Sequence, residues 1–203
     1  MLTDEMWVKR TRTVSVALQI TLSNVAVDHH ARRGGVHFGR EDFGDRISPE
    51  MIERMTALVI RQATREDAAA IVALFAAAGI DAGETFSDDE ARRHFDVFTR
   101  YPNFRVFVAT CEGEIVGAYE LLIMDNLAKR GKPSGIVEDV AVSPQHQGHG
   151  IGRALMEHAR NECRRAGCYK LALSSALGRE AAHAFYDALG FARHGVSFLV
   201  RTS

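Results

Sequence analysis

One stretch limits what this chain can be. From Ile136 the apolar run Ile136-Val137-Glu138-Asp139-Val140-Ala141-Val142 passes through Ser143-Pro144-Gln145-His146 into Gln147-Gly148-His149-Gly150-Ile151-Gly152, and a helical pattern opens at Arg153-Ala154-Leu155. A strand that turns through glycines into a helix leaves backbone N–H groups free at the positive helix end, with few side chains in the way. That combination suits a phosphate or pyrophosphate, and Arg153 adds a positive side chain in the first turn. The Walker pattern fails because no Gly-Lys-Ser/Thr follows the loop. The dinucleotide fingerprint GxGxxG fails because position 153 is arginine and the turn does not follow a first strand. Glycines at 148, 150 and 152 are by themselves as consistent with tight packing as with a ligand. Their surroundings decide.

Those surroundings are a soluble globular chain. Hydrophobic residues make up 46% and charged residues 25% of the 203 positions, which argues against disorder. Lys plus Arg number 25 against 26 Asp plus Glu, so no basic excess draws the molecule to nucleic acid or an anionic membrane. Cys111, Cys163 and Cys168 form neither a disulfide framework nor a CxxC metal site, which points to a reducing cytoplasm. No apolar run approaches the roughly 20 residues that span a bilayer, and Asp4 and Glu5 spoil a signal-peptide reading.

The first fifty residues differ from the rest. Val14, Val16, Leu18, Ile20 and Leu22 alternate with polar residues as in a half-buried strand, and residues from Asp28 to Pro49 read as loop. Two accounts are open: a strand and linker added to the domain, or upstream sequence joined to a domain starting near Met51 or Met55. Residues 1–56 are therefore set apart from a domain over 57–203. Within it, Leu58–Arg61 reads as a strand, and Thr64-Arg65-Glu66-Asp67 as a capping box before a helix through Ile71, Leu74 and Phe75 that stops at Gly79. Ser87-Asp88-Asp89-Glu90 caps a second helix running towards Pro102. Strands follow at Phe104–Thr110, Ile115–Met124 and Ile136–Val142, with a turn at Glu112-Gly113-Glu114 between the first two. Gly150–Ala166 is a helix, Tyr169–Ser174 a strand, Arg179–Leu189 a helix stopped by Gly190, and Val196–Val200 a closing strand. The expected class is α/β, a mixed (α+β) sheet covered by helices.

Gln147-Gly148-His149-Gly150-Ile151-Gly152 resembles the Gln/Arg-x-x-Gly-x-Gly/Ala signature of the GCN5-related N-acetyltransferases, with the family's Val-x-Pro at Val142-Ser143-Pro144. Some thirty residues on, Phe185-Tyr186-Asp187-Ala188-Leu189-Gly190-Phe191 is similar to that family's Phe-Tyr-x-x-x-Gly-Phe helix ending. The resemblance covers roughly residues 57 to 203. It implies the acyl-CoA N-acyltransferase fold: a mostly antiparallel sheet whose fourth and fifth strands are parallel and splayed. It also implies acetyl-CoA as co-substrate, without a metal, and transfer of its acetyl group to an amine. On that reading, backbone amides of Gln147, Gly148, His149, Gly150, Ile151, Gly152 and Arg153 hold the pyrophosphate, and Val140, Ala141 and Val142 pair with the pantetheine arm. A strand bulge frees an N–H, that of Val140, to polarise the thioester carbonyl. Glu138 is the implied base, Tyr186 the donor to the departing sulfur, and Ser174 a further cofactor contact.

Each assignment has a plainer rival. Glu138 can be an acid held by a nearby cation, Tyr186 a helix tyrosine packed on the sheet, and Ser174 and Ser175 helix caps. Alternation puts Asp139 on the face opposite Glu138, so the two are not expected on one wall. His146 and His149 read as exposed turn residues, like His29, His30 and His37; His183 reads as a solvated helix face and Cys163 as core. The acceptor is read as a small-molecule amine. The strand after Gly167 resembles enzymes of phosphorylated and phosphonate amines, for which Arg100, Arg105, Lys129, Arg130 and Lys132 are the candidate cations. A protein amine, or an acyl-CoA sensor without catalysis, are the alternatives. Relatives often form homodimers, and Val14–Leu22 is a candidate pairing edge.

Overall fold

The computed structural model describes residues 58–200 and 202, apart from residues 82, 84 and 99. The expected strand Val14–Leu22, the loop after it, the histidines at 29, 30 and 37 and the start sites Met51 and Met55 lie outside the described residues. In chain order the elements are β1 (Val59–Gln62), α1 (Ala68–Ala77), α2 (Asp88–Phe98), β2 (Phe104–Cys111), β3 (Glu114–Met124), β4 (Ser134–Val142), α3 (Ile151–Arg165), β5 (Leu171–Leu173) and α4 (Glu180–Ala188). The five strands lie in sequence order in one sheet. β1 to β4 pair antiparallel and β4 pairs parallel with β5, so the mixed α/β class expected from sequence holds.

Both capping signals act as expected. The Thr64 amide donates to Asp67 Oδ2 at 2.7 Å, and Arg61 on β1 donates to both oxygens of Asp67 at 2.6 and 2.8 Å. That pairing holds the Asp67 carboxyl below its ordinary value, the Arg61 hydrogen bond being the main cause. At the start of α2 the Ser87 amide and hydroxyl donate to Glu90 Oε2 at 2.9 and 2.5 Å. In each box the acid three residues on accepts from the amide of the first residue, and the Thr64 box opens a single turn, Arg65–Asp67, that leads into α1.

The sheet buries both faces. On one, α3 lays Ile151, Leu155, Met156, Ala159 and Cys163 against Phe107, Tyr119, Leu121 and Val137. Inside this layer the Tyr119 hydroxyl and His158 Nδ1 share a hydrogen bond of 2.7 Å; burial lowers His158 to about 4 and raises Tyr119, so the pair is neutral. On the other face, Ile71, Leu74 and Phe75 of α1 pack on Val106, Val108, Ala118 and Ala141, with Phe95 and Phe98 of α2 beside them. α4 packs against the α3 side through Phe185, Tyr186 and Leu189, and Arg160 of α3 donates to the Leu189 carbonyl at 2.9 Å.

Helix α3 sits close because the sheet presents glycine beneath it. A Cβ on Gly117 would lie 3.0 Å from Leu155 Cδ1, and one on Gly135 would fall inside the van der Waals radius of Cys163 Sγ. Gly135→Ala should therefore destabilise the fold by about 1–3 kcal/mol, the usual cost of overpacking. Urea unfolding measures it, and Cys163→Ala should recover most of the loss in a double-mutant cycle. Additive losses would refute the contact.

One expected element is missing. Val196–Val200 is not a strand, and Val196, Phe198, Leu199 and Val200 are 79–91% exposed. An apolar run becomes a strand only when an edge accepts it, and β5, with three residues, offers a very short one. The fifth strand is likewise narrower than the expected Tyr169–Ser174.

Candidate functional site

The site begins where β4 loses its neighbours. Its parallel ladder joins Gly135 to Leu171, Ile136 to Ala172 and Val137 to Leu173, and stops there. From Glu138 to Val142 the edge of β4 towards β5 is open. This is the splay expected of the fourth and fifth strands.

On its other edge β4 carries a bulge. Ala118 faces Ala141 and Glu120 faces Glu138, so Tyr119 spans two residues, Asp139 and Val140. Asp139 takes φ +47°, the left-handed region that Asp tolerates better than most residues. The extra residue resets the alternation beyond it. Val137, Val140 and Val142 all meet the α3 side and Ala141 the α1 side. The expectation that Asp139 turns away from the Glu138 wall is thereby corrected. Asp139 lines a cavity of about 320 Å³ on the α1–α2 side, together with Glu120 and Asp81.

The carboxylates affect one another. Glu120 is pushed up to about 7, first by burial, then by the charges of Asp139 and Glu138. Glu138 is raised by burial and by Asp139, and Asp139 by burial and by Asp81. Taking a carboxylate out of water beside like charges favours its neutral form. Glu120 is a residue that sequence reasoning missed. Its signal was available as the single acid inside the apolar strand Ile115-Val116-Gly117-Ala118-Tyr119-Glu120-Leu121-Leu122-Ile123-Met124.

The turn after β4 has the geometry of an anion cradle. Gly148 and Gly150 adopt φ +80° and +79°, and a Cβ on either would meet nothing within 4 Å, so open space lies beside them. No side chain caps α3. Its first backbone bond runs from Ala154 N–H to Gly150 O at 3.0 Å, which leaves the amides of Ile151, Gly152 and Arg153 ahead of the ladder. Gln147 braces the turn locally, its Nε2 donating to the Val142 carbonyl at 3.3 Å. Gly152 serves packing, because a Cβ there would lie 3.2 Å from the Phe185 ring. Arg153 and Ser174 are exposed. Two buried polar atoms without a partner, His149 Nδ1 and Ser175 Oγ, lie on the turn after β4 and the loop after β5. Such atoms suit a polar ligand between those loops.

Tyr186 is half-buried and edge-on to Phe185 and Phe191, at 5.1 and 5.7 Å between ring centroids. Burial raises its hydroxyl above the ordinary value. His183 Nε2 lies 3.0 Å from the Ala176 carbonyl, tying α4 to the loop after β5. Cys163 is buried in the core as expected. Among the described residues no group of three or more His, Cys, Asp or Glu is placed to hold a metal, and no helix is long and apolar enough to cross a membrane.

The comparisons with known proteins agree with this geometry. The sequence profile described as acetyltransferase (GNAT) family matches residues 70–191, from α1 through both glycine-containing motifs. The chain belongs to the GNAT acetyltransferase family. As a GNAT protein it is an acyltransferase. It is 34% identical to an aminoglycoside N(6')-acetyltransferase type 1 of Stenotrophomonas maltophilia, over 67% of this chain and 87% of that one. It is 38% identical to a glucosamine 6-phosphate N-acetyltransferase of Trypanosoma brucei brucei, over 44% of this chain and 59% of that one. A crystal structure of a Trypanosoma brucei acetyltransferase superposes with a TM-score of 0.63 at 28% identity, covering 71% of this chain and 99% of that one. The GNAT fold and the enzyme class thus stand on independent comparisons of sequence and of shape.

Proposed function

We propose that this GNAT protein transfers the acetyl group of acetyl-CoA directly to the primary amine of a small molecule, both substrates being bound together. One observation supports the reading above others: β4 parts from β5 after Val137, and the open edge runs straight to an uncapped helix start. A pantetheine arm can pair with the backbone of Val140, Ala141 and Val142 along that edge. Its diphosphate then meets the amides from Gln147 to Arg153, with His149 and Ser175 offering unpartnered polar atoms and Ser174 at the loop rim. The domain of this activity is residues 57–203.

The chemistry requires a proton to leave the amine before its nitrogen attacks. Glu138 is the acceptor read from the sequence. Glu120 lies directly across the ladder from it and Asp139 beside it, so Glu120, the most buried of the three, takes the proton with Glu138 and Asp139 as its charged neighbours. The Val140 N–H polarises the thioester carbonyl, where one such donor contributes about 3 kcal/mol as charge grows on oxygen. As the C–N bond forms and the C–S bond breaks, Tyr186 O–H gives its proton to the sulfur and regains one from the nitrogen, which sheds its second proton as the amide forms; the carboxylate releases the first to solvent. A homodimer completes the reading, supported by the exposed Val196, Phe198, Leu199 and Val200; a solution mass of one chain would refute it.

Release of free thiol from acetyl-CoA across a panel of amines tests the activity. Turnover that falls about 100-fold in Tyr186→Phe, with CoA affinity kept, is the expected result for loss of an acid. Tight CoA binding without turnover of any amine would overturn the reading in favour of an acyl-CoA sensor. Acetylation confined to protein amines would overturn the small-molecule assignment.

A further inference from the structure

We infer that the amine acetylated by this chain carries an apolar, ring-bearing body and no phosphate, its ammonium held between Glu120 and Asp139 at the foot of the α1–α2 cavity. The inference rests on the transferase reading and narrows its acceptor. The cavity walls are Phe75 of α1, Phe86 of the following loop and Phe95 and Phe98 of α2. Its ionisable groups are Asp81, Glu120, Asp139 and His94, and among the described residues no Lys or Arg lines it. His94 is itself stacked on Phe86 at 4.9 Å and edge-on to Phe98 at 5.7 Å, part of the aromatic wall.

The cations that a phosphate would need are elsewhere. Arg105 lies 3.8 Å from Glu162 of α3, on the far side of the sheet. Arg61 and Arg65, near the start of α1, pair with Asp67 and Asp96 at 2.6 and 3.1 Å. Lys129, Arg130 and Lys132 are exposed between β3 and β4, and Arg100 is exposed after α2. A phosphorylated amine entering the cavity would bring two negative charges towards three carboxyl groups with no Lys or Arg on its described walls to compensate them, which is unfavourable in a half-buried site. An ammonium on an apolar body reverses every term. Its charge meets carboxylates and aromatic faces, and its body removes apolar wall from water.

Size and position narrow the class further. About 320 Å³ is at the small end for ligand sites and takes a single-ring amine. Asp139 both lines the cavity and forms the bulge with Val140. A nitrogen held at Asp139 therefore lies beside the point where β4 opens, where the thioester is proposed to sit.

The test uses the full chain with acetyl-CoA and thiol release, comparing 2-phenylethylamine with glucosamine 6-phosphate, 2-aminoethylphosphonate and kanamycin. The expected kcat/KM for 2-phenylethylamine exceeds that for each of the others by about 100-fold. Phe95→Leu, which keeps an apolar side chain in the wall, should raise the KM for 2-phenylethylamine several-fold with kcat within twofold. Equal or better turnover of either phosphorus-bearing amine or of kanamycin would overturn the acceptor class and leave the transferase reading intact, as would an unchanged KM in Phe95→Leu. If calorimetry with acetyl-CoA detects no binding, the transferase reading falls, and this inference with it.

Discussion

Glu120→Gln should lower kcat about 100-fold or more, the usual contribution of a positioned base, while raising thermal stability above neutral pH. The two effects have one origin. Glu120 is buried beside Asp139 and Glu138 and titrates at about 7, so near neutrality it is neutral in part and charged in part. A base needs the charged form, so kcat/KM of the native chain should climb as pH rises through 7 and level off above it. Burial sets this midpoint first, followed by the charges of Asp139 and Glu138 from β4; Asp81 and His94 line the same cavity. Asp139→Asn should shift the rise to lower pH, because it removes the larger of the two repelling charges.

The stability change has the opposite sign. A carboxylate whose folded value lies above its ordinary 4.5 binds more protons folded than unfolded, so stability is full below that ordinary value. It is lost as pH rises through 7. Glutamine carries no charge to bury and should recover on the order of 2 kcal/mol at pH 8 and nothing at pH 4. Melting temperatures at the two pH values, beside kcat at pH 8, test both halves. A variant that loses activity and also melts lower at pH 8 would assign Glu120 to the framework. Gain of stability with loss of turnover is the mark of a group held for chemistry.

Gly150→Asp should reduce CoA affinity at least about 100-fold with little change in melting temperature. The position has φ +79°, which Asp adopts at a cost of about 1 kcal/mol, and the new Cβ meets nothing within 4 Å. The fold therefore accepts it. A carboxylate there stands in the open space before the α3 amides, repelling a diphosphate and competing for the same N–H groups. Calorimetry with CoA, beside CD melting, reads both outcomes. Retained affinity would remove the diphosphate from this turn. Gly152→Ala is the contrasting case, since its Cβ would press on Phe185 and should cost stability.

The elements carried by local signals were legible in the sequence. The capping residues Thr64, Asp67, Ser87 and Glu90, the stops at Gly79 and Gly190, and the strand–glycine turn–helix of β4 and α3 depend on neighbours a few positions away. What escaped depends on pairing. The bulge at Asp139 exists only because Tyr119 of β3 spans two residues of β4, and no period in β4 alone announces it. With the bulge unseen, Asp139 went to the wrong face. Glu120, conspicuous as an acid among apolar residues, acquired meaning only with Glu138 set opposite. The cavity gathers α1, α2, β2, β3 and β4, segments up to 71 residues apart between Ala68 and Asp139. The closing strand failed for the converse reason. Val196–Val200 has the composition of a strand but no pairing partner among the described elements.

The single inserted residue in β4 works as a phase slip. A regular strand carrying Glu138 and Asp139 in succession would drive one of them into the buried layer of Tyr119, Phe107 and Leu155, where a charge is costly. By advancing the repeat one step, the slip keeps valines 137, 140 and 142 in register with α3 and sends two consecutive acids out the other way. Nine residues thereby serve as hydrophobic beam on one side and as acidic cradle on the other.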